Sequence, residues 1–251
     1  MIKDDSPDNI ESIFTEVQGR RIHYLQAGSG RPVVLAHGGA SSAKEWERVM
    51  ARYARRYHFY APDLPGFGES FRDPKGYYLS DFSDFLLGFI GQLKLEKPAL
   101  VGHSFGARVC LDAARASSNN ISQLILIDAS GLGKMSPFGN VLFFFFKYLR
   151  DVLRQPQPFP RFLAKVGVDW NDIGDEALKS INIPTLLIWK NPDPYLSVKQ
   201  GRRAERLIPG AKLAVIKGYG HAPHQQKDNS RFCNLMLEFL DGSDGPDDPP
   251  R

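Results

Sequence analysis

PALVGHSFGARVCLDAARAS, residues 98–117, decides how the rest of the chain is read. An apolar run from Pro98 to Val101 breaks at Gly102-His103-Ser104-Phe105-Gly106, and apolar residues resume at Val109, Leu111 and Ala113 with helical spacing. The period changes from that of a strand to that of a helix, with a serine on the turn. A turn this tight holds the serine at positive φ and leaves no room for side chains two positions away. Both of those positions are glycine. The expected result is a hydroxyl lifted to the carboxyl end of a sheet, beside the N–H groups that open a helix. The G-x-S-x-G pattern alone fits a solvated serine on a glycine turn equally well, so the flanking segments carry the decision.

Upstream, Ile13–Val17 and Arg21–Gln26 alternate around Gln18-Gly19, which predicts a β-hairpin. Pro32–Ala36 reads as a short buried strand of the parallel type, ending in His37-Gly38-Gly39-Ala40. A helix over Glu45–Arg56 and a strand over His58–Ala61 follow, the strand running into the turn-rich loop DLPGFGES at 63–70. Leu79–Leu93 is amphipathic. Downstream, strands are predicted at Ile121–Ile127, Pro184–Trp189 and Lys212–Ile216, with helices at Val198–Ile208 and Arg231–Leu240. Strands alternating with helices imply an α/β fold, a mostly parallel sheet with helices on both faces. Reactive residues in such sheets gather at the carboxyl ends of strands. Ser104, Asp193 and His221 each follow a predicted strand directly.

Composition sets outer limits. At 251 residues with 42% hydrophobic and 24% charged, the chain is ordinary for a globular protein with an ample core. No run of 18 apolar residues spans a membrane, and the polar start MIKDDSPDNIES is unlike a secretory signal. Cys110 and Cys233 sit in apolar helical stretches, as reduced buried thiols of a cytoplasmic protein would. Without the acidic tail 241–251 the body holds 31 bases against 24 acids, but they are scattered and no nucleic-acid motif accompanies them. Histidines and acids are not spaced as a chelating cluster, so no metal is expected.

The pieces HGG at 37–39, DLPGFGES at 63–70, GHSFGA at 102–107, LLIWKNPD at 186–193 and GYGHAPH at 218–224 together resemble the α/β-hydrolase fold serine hydrolases, over residues 12–240. The resemblance implies an esterase- or lipase-like, cofactor-independent enzyme with a short lid. Ser104 is then the nucleophile, His221 the base and Asp193 the acid that orients it. The N–H groups of Gly39 and Phe105 match the family's oxyanion positions. The residue types suit these tasks, since a serine hydroxyl needs an adjacent base and histidine titrates near neutrality. Asp128, at the end of an earlier strand, is the rival acid, and His224 the rival base, read as first-turn packing on the closing helix. His37 is expected to brace the oxyanion loop, Asp63 to tie down its glycine loop, and His103 to line or pack the site. Lys190 departs from the family, which often has glycine there. Serine rather than aspartate at the elbow argues against the dehalogenase and epoxide-hydrolase branches. Two rivals remain: hydrolysis of a carbon–carbon bond in a dienoic keto acid, for which Arg108 is the available carboxylate partner, and a ligand-binding receptor on a hydrolase scaffold.

The core is expected over 12–130 and 181–240, with flexible termini at 1–11 and 241–251. A small helical lid of two or three short helices is expected over 131–180. Four consecutive phenylalanines, Phe143, Phe144, Phe145 and Phe146, cannot all share one face of a helix that turns about 100° per residue. They must divide among core, substrate channel and solvent, partner or lipid surface. The small-molecule acyl substrate is expected to have an apolar portion that some of them meet. Six bases and one acid lie between Lys134 and Lys165. Acyl-chain length and oligomeric state are not encoded in these motifs.

Overall fold

A computed structural model describes residues 10–154, 159–165 and 172–242. Strands β1 (Glu11–Val17) and β2 (Arg20–Ala27) form the expected hairpin, with Val17 paired to Arg20 across the turn. Then come β3 (Arg31–Ala36), a 3-10 turn at Ala43–Trp46, helix α1 (Glu47–Tyr53) and β4 (Tyr57–Pro62). A two-residue strand β5 (Tyr77–Tyr78) leads into α2 (Leu79–Gln92). The elbow follows as β6 (Ala99–His103) and α3 (Phe105–Ala116), and then β7 (Gln123–Ile127). Between β7 and β9 (Thr185–Asn191) lie α4 (Pro137–Val152), a two-residue strand β8 (Phe162–Leu163) and α5 (Asp175–Lys179). The chain ends with α6 (Val198–Leu207), β10 (Lys212–Lys217), a 3-10 turn at Pro223–Gln225 and α7 (Ser230–Asp241).

Eight strands form one sheet in the order β1-β2-β4-β3-β6-β7-β9-β10. The β1–β2 and β2–β4 pairings are antiparallel and the other five are parallel. Side chains alternate along each strand, so β3 sends Val34 and Ala36 to one face and Val33 and Leu35 to the other. On the first face α2, α3 and α6 bury Phe82, Phe85, Phe89, Val109, Leu111 and Ala204. On the second, the 3-10 turn, α1 and α7 bury Trp46, Met50, Phe232 and Met236. Cys110 belongs to the first layer and Cys233 to the second; both are free and the sheet separates them.

Three expectations change. The N-terminal strand begins at Glu11, inside the stretch expected to be frayed. Asp241 is likewise the last residue of α7, its carboxylate paired with Arg56, rather than part of a loose tail. Among its described residues, the segment after β7 holds one sixteen-residue helix and one short helix, and adds the strand β8, paired in parallel with β5. Two residues of pairing are too short to leave a periodic signature, so neither strand is visible in the sequence.

Candidate functional site

Ser104 stands between β6 and α3 with φ 51° and ψ −112°, a conformation that non-glycine residues adopt only where surrounding structure imposes it. The imposition is steric and polar. A Cβ on Gly102 would lie 2.5 Å from the Cα of Ala107, and one on Gly106 only 2.3 Å from the carbonyl oxygen of Ala36 in β3. The close approach of helix to strand therefore requires both glycines. The Ser104 N–H donates to the Ile127 carbonyl at 2.9 Å, and the Ser104 carbonyl accepts from the N–H and the hydroxyl of Ser130, each at 3.1 Å. The elbow is tied to the end of β7.

His221 comes from the loop after β10 and Asp193 from the loop after β9. His221 Nε2 lies 2.9 Å from Ser104 Oγ and Nδ1 lies 2.7 Å from Asp193 Oδ2. With Asp193 as acceptor, Nδ1 carries the proton and Nε2 is free to accept from the hydroxyl. The other carboxylate oxygen of Asp193 accepts the N–H groups of Tyr195 and Leu196 at 2.7 and 3.1 Å. The reading of Asp193 as a turn former and as the partner of His221 are thus both true, one oxygen for each. Burial, helped by the charge of His103 and opposed by Asp193, lowers the pKa of His221 and favours its neutral form. Tyr195 sets its ring edge-on to that imidazole at 5.0 Å.

Asp128 does not reach His221. Its Oδ1 accepts the Lys190 N–H at 2.7 Å, and its buried Oδ2 has no hydrogen-bond partner among the described residues. Burial raises its pKa well above the carboxylate range. Lys190 occupies the position where glycine was the commoner choice, yet it does not displace the acid loop. Its buried side chain passes Gly218 and Gly220, and its Nζ donates to Gln226 Oε1 at 2.9 Å. It clasps the loop bearing Asp193 to the loop bearing His221.

The two residues expected to form the oxyanion hole lie side by side: a Cβ built on Gly39 would be 3.8 Å from the Cβ of Phe105, the first residue of α3. His37 Nδ1 donates to the Gly38 carbonyl at 2.7 Å while its Nε2 accepts the Leu64 N–H at 3.0 Å, so it braces this loop as a neutral ring. Asp63 ties down its glycine loop as expected, accepting from the N–H groups of Ala43 and Glu69 and from His23 Nδ1.

Glu45 is the residue that sequence reasoning missed. Its side chain is 1% exposed. Its Oε2 accepts the Gly38 N–H at 3.1 Å, and its Oε1 faces His103 Nδ1 at 2.7 Å and His224 Nε2 at 2.8 Å. His103 Nε2 in turn donates to the His221 carbonyl at 2.8 Å. Carboxylate and carbonyl oxygens only accept, so His103 carries a proton on both nitrogens and is an imidazolium. Burial alone would lower its pKa; the charge and hydrogen bond of Glu45 outweigh that and raise it. Burial likewise acts against the Glu45 carboxylate, but His103 and His224 hold it well below its ordinary range. His224 was expected in the first turn of the closing helix. It lies instead on the 3-10 turn before α7, stacked on Trp46 at 4.4 Å, with its pKa lowered by burial to about 4. Glutamate in an otherwise helical pattern gives no signal of this role, because its partners come from β6 and from the loop after β10.

Among the described residues, two groups bring three ligand-type atoms within 4.8 Å of one another, Glu45 with His103 and His224, and His103 with Asp128 and His221. Both contain His103, whose two ring nitrogens already face Glu45 Oε1 and the His221 carbonyl. Among the phenylalanines expected at the substrate, Phe144 and Phe145 are 63% and 54% exposed, and the side chains of Phe143 and Phe146 lie outside the described residues. The aromatic rings beside the site come from further along: Phe159, with Cε1 2.9 Å from the place of a Gly39 Cβ, and Phe162, 5.5 Å from the Phe105 ring. Arg108 is buried in α3 with its Nε 2.8 Å from Asp112.

The chain is similar to several known proteins. An uncharacterized protein of Mycobacterium tuberculosis is 27% identical, covering 96% of this chain and 83% of its own. A 2-hydroxy-6-oxo-2,4-heptadienoate hydrolase of Pseudomonas putida is 26% identical over 86% of this chain and 91% of its own. The crystal structure of a carboxylesterase from Bacillus subtilis superposes with a TM-score of 0.82 at 19% identity, covering 95% of this chain and 94% of that one. A family profile described as the alpha/beta hydrolase family matches residues 33–234. With that profile spanning the sheet from β3 into the closing helix α7, the chain belongs to the alpha/beta hydrolase family.

Proposed function

We propose that this hydrolase is a serine hydrolase that cleaves a carboxylic ester or similar acyl substrate through an acyl-enzyme. The observation that carries the reading is one imidazole, His221, within hydrogen-bond reach of both Ser104 Oγ and Asp193 Oδ2. Ser104 Oγ attacks the acyl carbon as its proton passes to His221 Nε2. The N–H groups of Gly39 and Phe105 receive the negative charge that grows on the carbonyl oxygen. The bond to the leaving alcohol breaks as His221 returns the proton to it. Water then repeats the attack with the same base and releases the acid. Residues 131–180 act as the lid, and Phe159 forms part of the apolar wall over the acyl group. No step calls for a cofactor or a metal. The reading extends to a cytoplasmic enzyme, in keeping with its two free thiols.

A second reading, carbon–carbon bond hydrolysis of a dienoic keto acid, is favoured by the Pseudomonas putida relative and would use the same three residues. The arginine such a substrate's carboxylate would need is Arg108, and its Nε is engaged with Asp112. The test is labelling with a fluorophosphonate followed by turnover of nitrophenyl esters and of a dienoic keto acid side by side. We expect one adduct, on Ser104, absent from Ser104→Ala, and ester turnover exceeding keto-acid turnover. An adduct elsewhere overturns the site; the reverse substrate ranking moves the function to the second reading. One tightly retained ligand with almost no turnover would mark a receptor.

A further inference from the structure

Helix α4 presents an apolar face to the outside. Phe138, Val141, Phe145, Tyr148 and Val152 follow one another in steps of three and four and so share one face, with Phe144 on its flank. All six are exposed, Val141 by 69% and Tyr148 by 67%. The opposite side holds the helix in place: Gly139 is buried, and a Cβ there would lie 3.1 Å from the Cα of Tyr195, whose carbonyl accepts the Ser136 N–H at 2.8 Å. Ser136 caps the helix by accepting the Gly139 N–H. The orientation is therefore set by packing and capping at the N-terminal end. A continuous stripe of large apolar side chains on one helix exceeds the scattered exposure that a protein surface normally carries.

The charge around the stripe indicates what covers it. Lys134 lies just before α4 and Arg154 just after it, both exposed, and the following chain adds exposed Arg161 and Lys165. From Lys134 to Lys165 the sequence holds six bases and one acid, Asp151. A second copy of this chain would bring bases against bases at such a face. An anionic lipid surface offers acyl chains to the stripe and negative headgroups to the bases at its ends. We propose that α4 is a docking face for anionic lipid membranes, lying in the plane of the interface with the Phe138–Val152 stripe in the acyl region. This goes beyond the reading of Ser104 chemistry and does not depend on it.

The test is co-sedimentation with vesicles, using Ser104→Ala protein alongside wild type so that lipid turnover plays no part. Vesicles of equal parts phosphatidylcholine and phosphatidylglycerol should bind the protein, and added salt should weaken binding. Pure phosphatidylcholine vesicles should bind it at least about tenfold less well. Val141→Asp with Tyr148→Asp should lower binding to the mixed vesicles roughly a hundredfold, since two buried apolar side chains are lost and two like charges added. Lys134→Glu with Arg154→Glu should lower it about tenfold or more while leaving the stripe intact. Circular dichroism and Tm of both double variants should match wild type, because all four positions are exposed. Failure of the wild-type protein to co-sediment overturns the proposal. So does binding that Val141→Asp with Tyr148→Asp leaves unchanged. So does a wild-type dimer in light scattering that this same pair of substitutions converts to monomer, which would give the face to a second copy.

Discussion

The floor of the site and the helix above it are opposites. Beneath Ser104, buried polar side chains are linked from loop to loop: Glu45 joins the Gly38 loop, β6 through His103 and the turn bearing His224, and His103 joins the loop of His221. Helix α4 instead exposes Phe138, Val141, Phe144, Phe145, Tyr148 and Val152, with its first turn tied to Tyr195. The floor is a buried polar network in which each part over-determines the next, which is what a strained serine and an oriented imidazole require. The outer face of the helix is instead open to solvent. On the proposed function, chemistry is fixed below, and selection of what reaches it is left above.

The sharpest way to break this division is to remove the proposed base. His221→Ala should lower kcat by several orders of magnitude, roughly 10³-fold or more, while His224→Ala, measured at equal folded protein, retains turnover. Equal losses would mean that the network, not the single hydrogen bond to Ser104, carries the activity. Asp193→Asn comes next, with kcat lower by about 10²–10⁴ through the wrong imidazole tautomer. Asp128→Asn should do far less, since Asp128 makes its one hydrogen bond to Lys190 and none to His221. The reverse ranking would move the acid to β7.

Glu45 tests the floor itself. Glu45→Ala leaves the His103 imidazolium buried without its counter-charge and the Gly38 N–H without its acceptor. Breaking a buried pair in this way costs about 3–5 kcal/mol, a fall in Tm of roughly 6–20 °C for a chain of this size. A melting curve unmoved by the substitution would show that water replaces the carboxylate easily and that the floor is looser than its geometry.

His103 separates positioning from charge. It faces Glu45, Asp128, His221 and His224, with His37 near enough to act on it. Burial, with the charge of His103 adding to it against the pull of Asp193, keeps the His221 pKa below the ordinary histidine value, so the acid limb of kcat/KM should lie below that value too. His103→Gln can keep a hydrogen bond to the His221 carbonyl but removes the positive charge and leaves the Glu45 charge unbalanced. Both changes favour protonated His221, so the acid limb should move to higher pH. A drop in kcat with the limb unmoved would reduce His103 to packing.

How far the sequence anticipated this molecule follows the same divide. The sheet was legible because buried parallel strands read as short apolar runs and the elbow forces glycine at 102 and 106. Ser104, Asp193 and His221 were legible because each follows such a run. Glu45 was not, since a lone acid on a helical stretch has no period that reveals a partner 58 residues away. The Phe143–Phe146 run was expected to divide among core, channel and surface. The structure exposes Phe144 and Phe145, while Phe159 and Phe162, set apart by prolines and a base, stand next to Gly39 and Phe105. Hydrophobic runs announce themselves; a single ring placed by a two-residue strand pairing does not.

The smallest effect expected is the most informative about the lid. If Phe159 forms the wall beside Gly39, each methylene that a substrate's acyl chain adds against it buries apolar surface worth about 0.8 kcal/mol, so kcat/KM should rise up to roughly fourfold per carbon until the space is filled. Four- to eight-carbon esters should then outrun acetates. Phe159→Ala opens the wall, so the slope per carbon should flatten while fluorophosphonate labelling of Ser104 continues. The ring also contacts Phe67, edge-on at 6.5 Å, so it has a share in packing as well. A share confined to packing would lower Tm, with a Phe→Ala core cost of about 3–5 kcal/mol, and leave the chain-length slope where it was. A flattened slope at unchanged Tm assigns the ring to substrate; a lowered Tm with the slope intact assigns it to the core and returns the acyl wall to residues of α4.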